Sequence, residues 1–247
     1  MSLIDSHCHL HDRQFFTEEQ AEEMLKRAYD NNVRKIICIG TDPEDSLAAS
    51  EFAKEHDGVY WTYGVHPSEA KKNRNLFENN DKLVAIGEVG LDYHYEGYSR
   101  DAQIRLFEEM LQLAYDKDLP VSFHIREAFD DFFLVVANFP NVRGVVHSFS
   151  DNKKNLKRIL NETEFFVGVN GMATYSTLPT PPLERTLLET DAPFLAPVPF
   201  RGTINESAYV RNIAKWLAAK LGVSFETIEK ETTKNATRLF RFKEGTS

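Results

Sequence analysis

The stretch IDSHCHLHD, Ile4 to Asp12, sets three histidines within five residues at the end of a short apolar run. In extended chain, residues two apart point to one side. His7 and His9 therefore face the same way, and Cys8 is turned opposite. Two readings compete: a polar loop whose imidazoles are satisfied by backbone groups, or a metal site. The decision rests on whether the pattern, an apolar run ending in ionisable side chains, recurs along the chain.

It does recur. Thr17-Glu18-Glu19-Gln20 has the capping-box form, and Ala21, Met24, Leu25 and Ala28 follow at helical spacing. Asn31-Asn32 closes that helix, and VRKIICIG (Val33 to Gly40) reads as a buried strand. A helix over Pro43 to Glu55 follows, with proline tolerated in its first turn. VYWTYGV (Val59 to Val65) and LVAIGEVG (Leu83 to Gly90) read as strands. Arg100 to Lys117 is a helix with Phe107, Met110, Leu111 and Ala114 on one stripe. PVSFH (120–124) reads as strand, Phe129 to Asn138 as helix, and VRGVVHSF (142–149) as strand. Asn152 to Leu160 reads as helix, EFFVGVN (164–170) as strand, and RTLLET (185–190) as the last strand. With SLID (2–5) the strands number eight. A helix over Ala208 to Leu221 and a second from Phe225 complete the chain.

Strands that alternate with helices pair in parallel through crossovers. Eight such units in 247 residues predict an α/β fold, a (β/α)8 TIM-type barrel forming a single domain over 1–247. LPTPPLE (Leu178 to Glu184) is too rich in proline for a full helix, so the seventh crossover is expected to be reduced. The rival, an open doubly wound sheet for nucleotides, would want a Gly-x-Gly-x-x-Gly turn after a strand, and none is present.

Composition bounds the function. The net charge is −9, which argues against sequence-independent wrapping of nucleic acid by many phosphate contacts but leaves room for a substrate drawn to bound cations. No apolar run approaches the ~18 residues of a membrane span, and no secretory signal is visible at the start. Cys8 and Cys38 cannot make a disulfide framework, which fits a cytoplasmic location.

Barrel active sites lie at the carboxyl ends of the strands. His7 and His9 end the first strand, His66 the third, Glu88 the fourth, His124 the fifth, His147 the sixth and Asp191 the eighth. Seven ionisable groups on one rim are hard to explain as solvation, because each would desolvate the others. Imidazole with carboxylate suits Zn²⁺, Mn²⁺ or Fe²⁺, whereas Mg²⁺ prefers oxygen. Four histidines and two carboxylates exceed the needs of one tetrahedral ion, which favours two metals.

Five motifs in order now carry a resemblance: SHCHL (6–10), IGEVGLDY (86–93), HIREA (124–128), HSFS (147–150) and ETDAP (189–193). With LAPVPFRG and the closing NATRLF, nearly the whole chain resembles the TatD family of metal-dependent deoxyribonucleases, one of the amidohydrolase-like barrels. The resemblance implies two divalent ions, Mg²⁺, Mn²⁺ or Zn²⁺. His7, His9 and Asp191 would hold one ion and His124 and His147 the other, with Glu88 bridging. It implies that DNA is the substrate, that a water acidified by the metals is the nucleophile, that Asp191 carries its proton, and that His66, Arg126 and Arg201 meet phosphate oxygens. Three positions depart from the family pattern and bear on the substrate groove: Phe200, the segment Asn205-Glu206-Ser207, and Asp151.

The same metal pair could attack carbonyl carbon, so a C–N or carboxyl-ester hydrolase, such as an aminoacyl-tRNA deacylase, is the alternative. A metal-stabilised binding module is the non-enzymatic one; it would need closed coordination spheres. Two basic stretches, EAKKNR (Glu69 to Arg74) and DNKKNLKR (Asp151 to Arg158), follow the third and sixth strands and are placed to guide phosphates inward.

Overall fold

A computed structural model describes residues 2–70 and 77–242. The basic stretch from Glu69 to Arg74 lies largely outside these residues. Eight strands form one sheet in chain order, each parallel to its neighbour: β1 (Leu3–Cys8), β2 (Val33–Ile39), β3 (Val59–Tyr63), β4 (Leu83–Asp92), β5 (Val121–Arg126), β6 (Gly144–Val146), β7 (Phe166–Val169) and β8 (Thr186–Leu188). The sheet curls until its edges meet. The Asp191 amide donates to the His7 carbonyl at 2.8 Å, and the His9 amide donates to the Ala192 carbonyl at 2.8 Å. Beneath that seam the buried Asp5 carboxylate accepts from the Thr190 amide at 2.8 Å and hydroxyl at 2.6 Å.

Helices α1 (Glu18–Asp30), α2 (Pro43–Glu55), α3 (Arg100–Lys117), α4 (Phe129–Val136) and α5 (Lys153–Glu162) ring the sheet. The capping box at α1 is complete: Gln20 N–H donates to Thr17 Oγ1 at 3.2 Å, and Thr17 N–H to Gln20 Oε1 at 2.9 Å. Alternation along β2 sorts its side chains into two apolar clusters. Ile36 and Cys38 pack outward with Ala21, Leu25 and Ala53, while Ile37 and Ile39 point inward with Ile4, Val84 and Leu187. Helix α6 (Val210–Leu221) joins the outer ring, and α7 (Phe225–Phe240) crosses the amino-terminal end of the barrel. There Leu239, Phe240 and Phe242 close the inner cluster. The Thr233 hydroxyl bonds the Ser2 carbonyl at 2.5 Å, and Asn235 Nδ2 bonds the Thr186 carbonyl at 2.9 Å.

Pro179, Pro181 and Pro182 have the effect expected of them: β7 and β8 are joined by the short 3-10 turns Gly171–Thr174 and Leu183–Arg185, with no α-helix between. Among the described residues the third crossover likewise holds only the 3-10 turn Pro67–Glu69. Several bounds differ from the sequence reading. β4 runs past Gly90 to Asp92 and β5 past His124 to Arg126, because their pairing continues through Gly90–His124, Leu91–Ile125 and Asp92–Arg126. Glu88 therefore lies inside β4 rather than at its end. β6 and β8 are shorter than expected, since the backbone turns away at Ser148 and Asp191, both at positive φ. α6 starts at Val210, after the 3-10 turn Ser207–Tyr209. No helix among the described residues is long and apolar enough to cross a membrane.

Candidate metal centre

The seam between β1 and β8 and the carboxyl ends of β4, β5 and β6 bring six of the seven rim groups into one cluster. As the alternation requires, His7 and His9 share a face: both Nε2 atoms lie 3.6 Å from Asp191 Oδ1. The Cys8 thiol is on the other side, 3.6 Å from the Ile37 carbonyl. Glu88 stands between two sets of imidazoles. Its Oε2 is 3.7 Å from His7 Nε2, and its Oε1 is 2.7 Å from His124 Nδ1 and 2.8 Å from His147 Nε2. The rings of His7 and His147 lie parallel at 3.8 Å, and His66 meets His124 edge-on at 4.4 Å.

His9 and His124 are oriented from behind. His9 Nδ1 faces the Ile39 carbonyl at 3.1 Å; a carbonyl only accepts, so that nitrogen carries the hydrogen and Nε2 is left free as a ligand. Asp92 holds His124 from the far side at 3.0 Å. Glu189, fully buried, lies 3.8 Å from His147 Nδ1 and accepts from the Ser148 amide at 2.5 Å. Gly64 of the third crossover packs so closely on β4 that an added Cβ would meet the Glu88 amide nitrogen at 2.2 Å.

The electrostatics of so compact a group are those of a cation site. Burial opposes the Glu88 carboxylate, yet the charges and hydrogen bonds of His147 and His124 overcome it and hold its pKa well below the carboxylate range. Burial lowers His147, and Glu88 more than compensates, lifting it to about 9. Burial and the neighbouring His147 push His7 well down, so its ring is neutral. Burial, helped by the neighbouring Asp191 and Asp5 carboxylates, raises Glu189 to about 8. Protons on His124 and His147 here balance carboxylates that bound cations would balance instead. One atom tests that fit: His7 Nε2 is buried, has no hydrogen-bond partner, and points between two carboxylates. A protein interior rarely leaves such an atom unsatisfied, and a metal ion satisfies it. Two ligand groups with atoms within 4.8 Å of one another share Glu88: His7–His9–Glu88 and Glu88–His124–His147. The residues present fit divalent cations.

The remaining predicted contacts are spread more widely. His66 caps the turn at Pro67, its Nδ1 2.8 Å from Ser68 Oγ, and burial pulls its pKa to about 4. Arg126 lies over the Tyr95 ring, and Arg201 lies over Tyr175 at 4.5 Å. Of the departures from pattern, Phe200 stacks on Tyr209 at 4.0 Å, Asn205 Nδ2 ties the Thr190 and Phe194 carbonyls, and Glu206 pairs with Arg27 at 2.6 Å. They anchor the loop behind Asp191. Sequence reading missed Asp92 and Glu189. Both lie inside quoted motifs, Asp92 four residues after Glu88 and Glu189 two before Asp191, and only the strand register reveals that both turn inward.

Comparison with known proteins agrees with this geometry. The family described as TatD related DNase matches residues 4–241. An uncharacterized metal-dependent hydrolase, YabD of Bacillus subtilis, is 34% identical over 255 residues, spanning 97% of this chain and 99% of its own. The 3′-5′ ssDNA/RNA exonuclease TatD of a Pantoea species is 32% identical over 242 residues, spanning 89% and 93%. The crystal structure of a TatD homolog from Escherichia coli K12 superposes with a TM-score of 0.84 at 28% identity, covering 97% of this chain and 98% of that one.

Proposed function

The chain belongs to the TatD-related DNase family of metal-dependent hydrolases, and from that membership we propose that it hydrolyses phosphodiester bonds of nucleic acid, DNA first, with two divalent ions. The observation that carries the reading is Glu88 shared between two imidazole sets, beside the unsatisfied His7 Nε2. His7, His9 and Asp191 would hold one ion, His124 and His147 the other, and Glu88 both. Bound divalent ions supply Lewis acidity to the phosphoryl oxygens and bring the pKa of water from ~15.7 towards neutrality.

The protein's own groups do the rest. Asp191, held at the β1–β8 seam, is placed to take the proton of the attacking water. Asp92 fixes the ring of His124 through its 3.0 Å bond, so that ligand keeps its orientation as charge builds up, and Glu189 lies behind His147 at 3.8 Å. His66 and Arg126 stand beside the centre as donors to non-bridging oxygens, where preorganised charge acts most strongly. Arg201, stacked on Tyr175, would meet a phosphate further along the strand.

The test is chelated protein refilled with Mg²⁺, Mn²⁺ or Zn²⁺ and given end-labelled single- and double-stranded DNA and RNA. Metal-dependent shortening of DNA is expected, with the preferred ion read from the same series. Intact oligonucleotides together with release of amino acid from aminoacyl-tRNA would overturn the proposal in favour of carbonyl chemistry.

A further inference from the structure

The loop between β4 and α3 carries Tyr93, Tyr95 and Tyr98 within six residues. Tyr93 is fixed from below: its hydroxyl donates to Asp131 Oδ2 at 2.7 Å, and Arg100 clamps the same carboxylate through two bonds of 2.6 Å. Tyr98 stacks on Tyr93 with centroids 4.7 Å apart and planes 8° from parallel, yet remains 43% exposed. Tyr95 is 63% exposed, with the Arg126 guanidinium 5.3 Å from its centroid and donating to its hydroxyl at 3.3 Å. Tyr95 and Tyr98 thus present exposed rings to the space beside the Pro67 turn. Between these rings and the Pro67–Glu69 turn lies a cavity of about 230 Å³, walled by Pro67, Ser68, Asp92, Tyr95, Tyr98 and Gln103. That is many times the ~10–15 Å³ that a single water molecule needs on the same measure. The cavity adjoins the metal centre on two sides, because Asp92 bonds His124 and Pro67 follows His66.

We propose that this cavity is a nucleobase pocket, in which the base beside the scissile phosphodiester stacks on Tyr95 and Tyr98 while its phosphate meets Arg126 and His66. The proposal rests on the nuclease reading and adds to it where the base goes. Two polar groups on the wall, Gln103 and Ser68, are already committed, while Glu96 is exposed on the same wall. Gln103 exchanges two hydrogen bonds with the Asp92 backbone, at 2.8 and 2.9 Å, and Ser68 Oγ lies against His66 Nδ1. With the exposed Tyr95 and Tyr98 rings as its main open surface, the pocket reads chiefly a π-face, so it accepts any base. A base stacked and paired within a duplex cannot enter it without being extruded.

The experiment places 2-aminopurine, whose fluorescence falls on stacking, at successive positions from the end of a single-stranded oligonucleotide. Binding is followed with the protein both chelated and metal-loaded. One position should be quenched in the wild type. Quenching should vanish in Tyr95→Leu/Tyr98→Leu, with roughly ten-fold weaker binding, and survive in Tyr95→Phe/Tyr98→Phe. An abasic residue at that position should cost the wild type the same factor and cost the leucine variant nothing further. Quenching that is uniform along the strand, or unchanged in the leucine variant, overturns the proposal. Absence of cleavage with position-specific quenching intact would instead refute the nuclease chemistry and leave the pocket standing.

Discussion

Replacing Gly64 by alanine offers a stringent check on how the centre is held. The added Cβ would stand 2.2 Å from both the Glu88 nitrogen and the Gly87 carbonyl carbon, and 2.4 Å from the Gly87 oxygen. All three are backbone atoms, so no side chain can swing aside. Ordinary contact begins at 3.4 Å, which asks the segments to part locally by about 1.2 Å. That displacement loosens the 2.7 Å bond from the Glu88 amide to the Gly40 carbonyl and the bond from the Thr62 hydroxyl to Gly87. Overpacking costs about 1–3 kcal/mol and each weakened hydrogen bond about 1 kcal/mol, so the total is roughly 3–5 kcal/mol. At about 2–4 °C per kcal/mol for a domain of this size, Tm should fall on the order of 10 °C. The same shift moves the Glu88 carboxylate away from His124 and His147, so metal retained through purification should fall in parallel. Calorimetry and elemental mass spectrometry read the two effects. Gly97→Ala is the control: it has positive φ but nothing within 4 Å, so it should lose about 1–2 kcal/mol and no metal. If Gly64→Ala melts within about 2 °C of wild type and keeps its full metal content, the close approach has no role in positioning Glu88.

Other expectations follow from individual groups. His11 Nε2 lies 3.0 Å from Asp45; burial works against both charges, but the pairing holds Asp45 at about 2, and Asp45 together with the neighbouring Cys38 lifts His11 to about 10. The Asp45 contribution is complete above 3.8 and lost as pH falls through 2, and that of His11 is complete below 6.5 and lost as pH rises through 10. Asp45→Asn should therefore cost about 2 kcal/mol between those limits in urea unfolding, narrowing on either side; a pH-independent difference would show that the pair is not ionic. Asp191→Asn should abolish turnover of an end-labelled oligonucleotide while leaving the circular dichroism spectrum unchanged, and a wild-type rate would remove Asp191 from proton transfer. Lys153 and Lys154 are exposed in the first turn of α5, where the helix dipole disfavours cations. Changing both to Glu should weaken DNA binding and lower the log–log salt slope by about 1.4 for a single strand; binding unchanged across a salt series would discard them as phosphate guides.

Much of this was legible in the sequence because the signals were local. A capping box, a proline cluster and alternating apolar runs each act within a few residues, and Thr17, Pro181 and Ile37 behave as their neighbours require. The rim histidines were legible for a related reason: in a parallel barrel, the residue after a strand has a known place. Asp92 and Glu189 were not legible, since a carboxylate near a strand end faces in or out according to register. Register depends on partners far along the chain, such as Arg126 for Asp92 and Gly168 for the Glu189 side chain. The aromatic cavity depends on the same long-range assembly, because its walls come from two separate crossovers.

Helix α7 gives the barrel a floor. With Phe240 and Phe242 wedged beneath Ile4 and Val84, the vessel is blind at its lower end. Whatever reaches the rim finds no passage through the sheet, so anything admitted and anything released share one mouth.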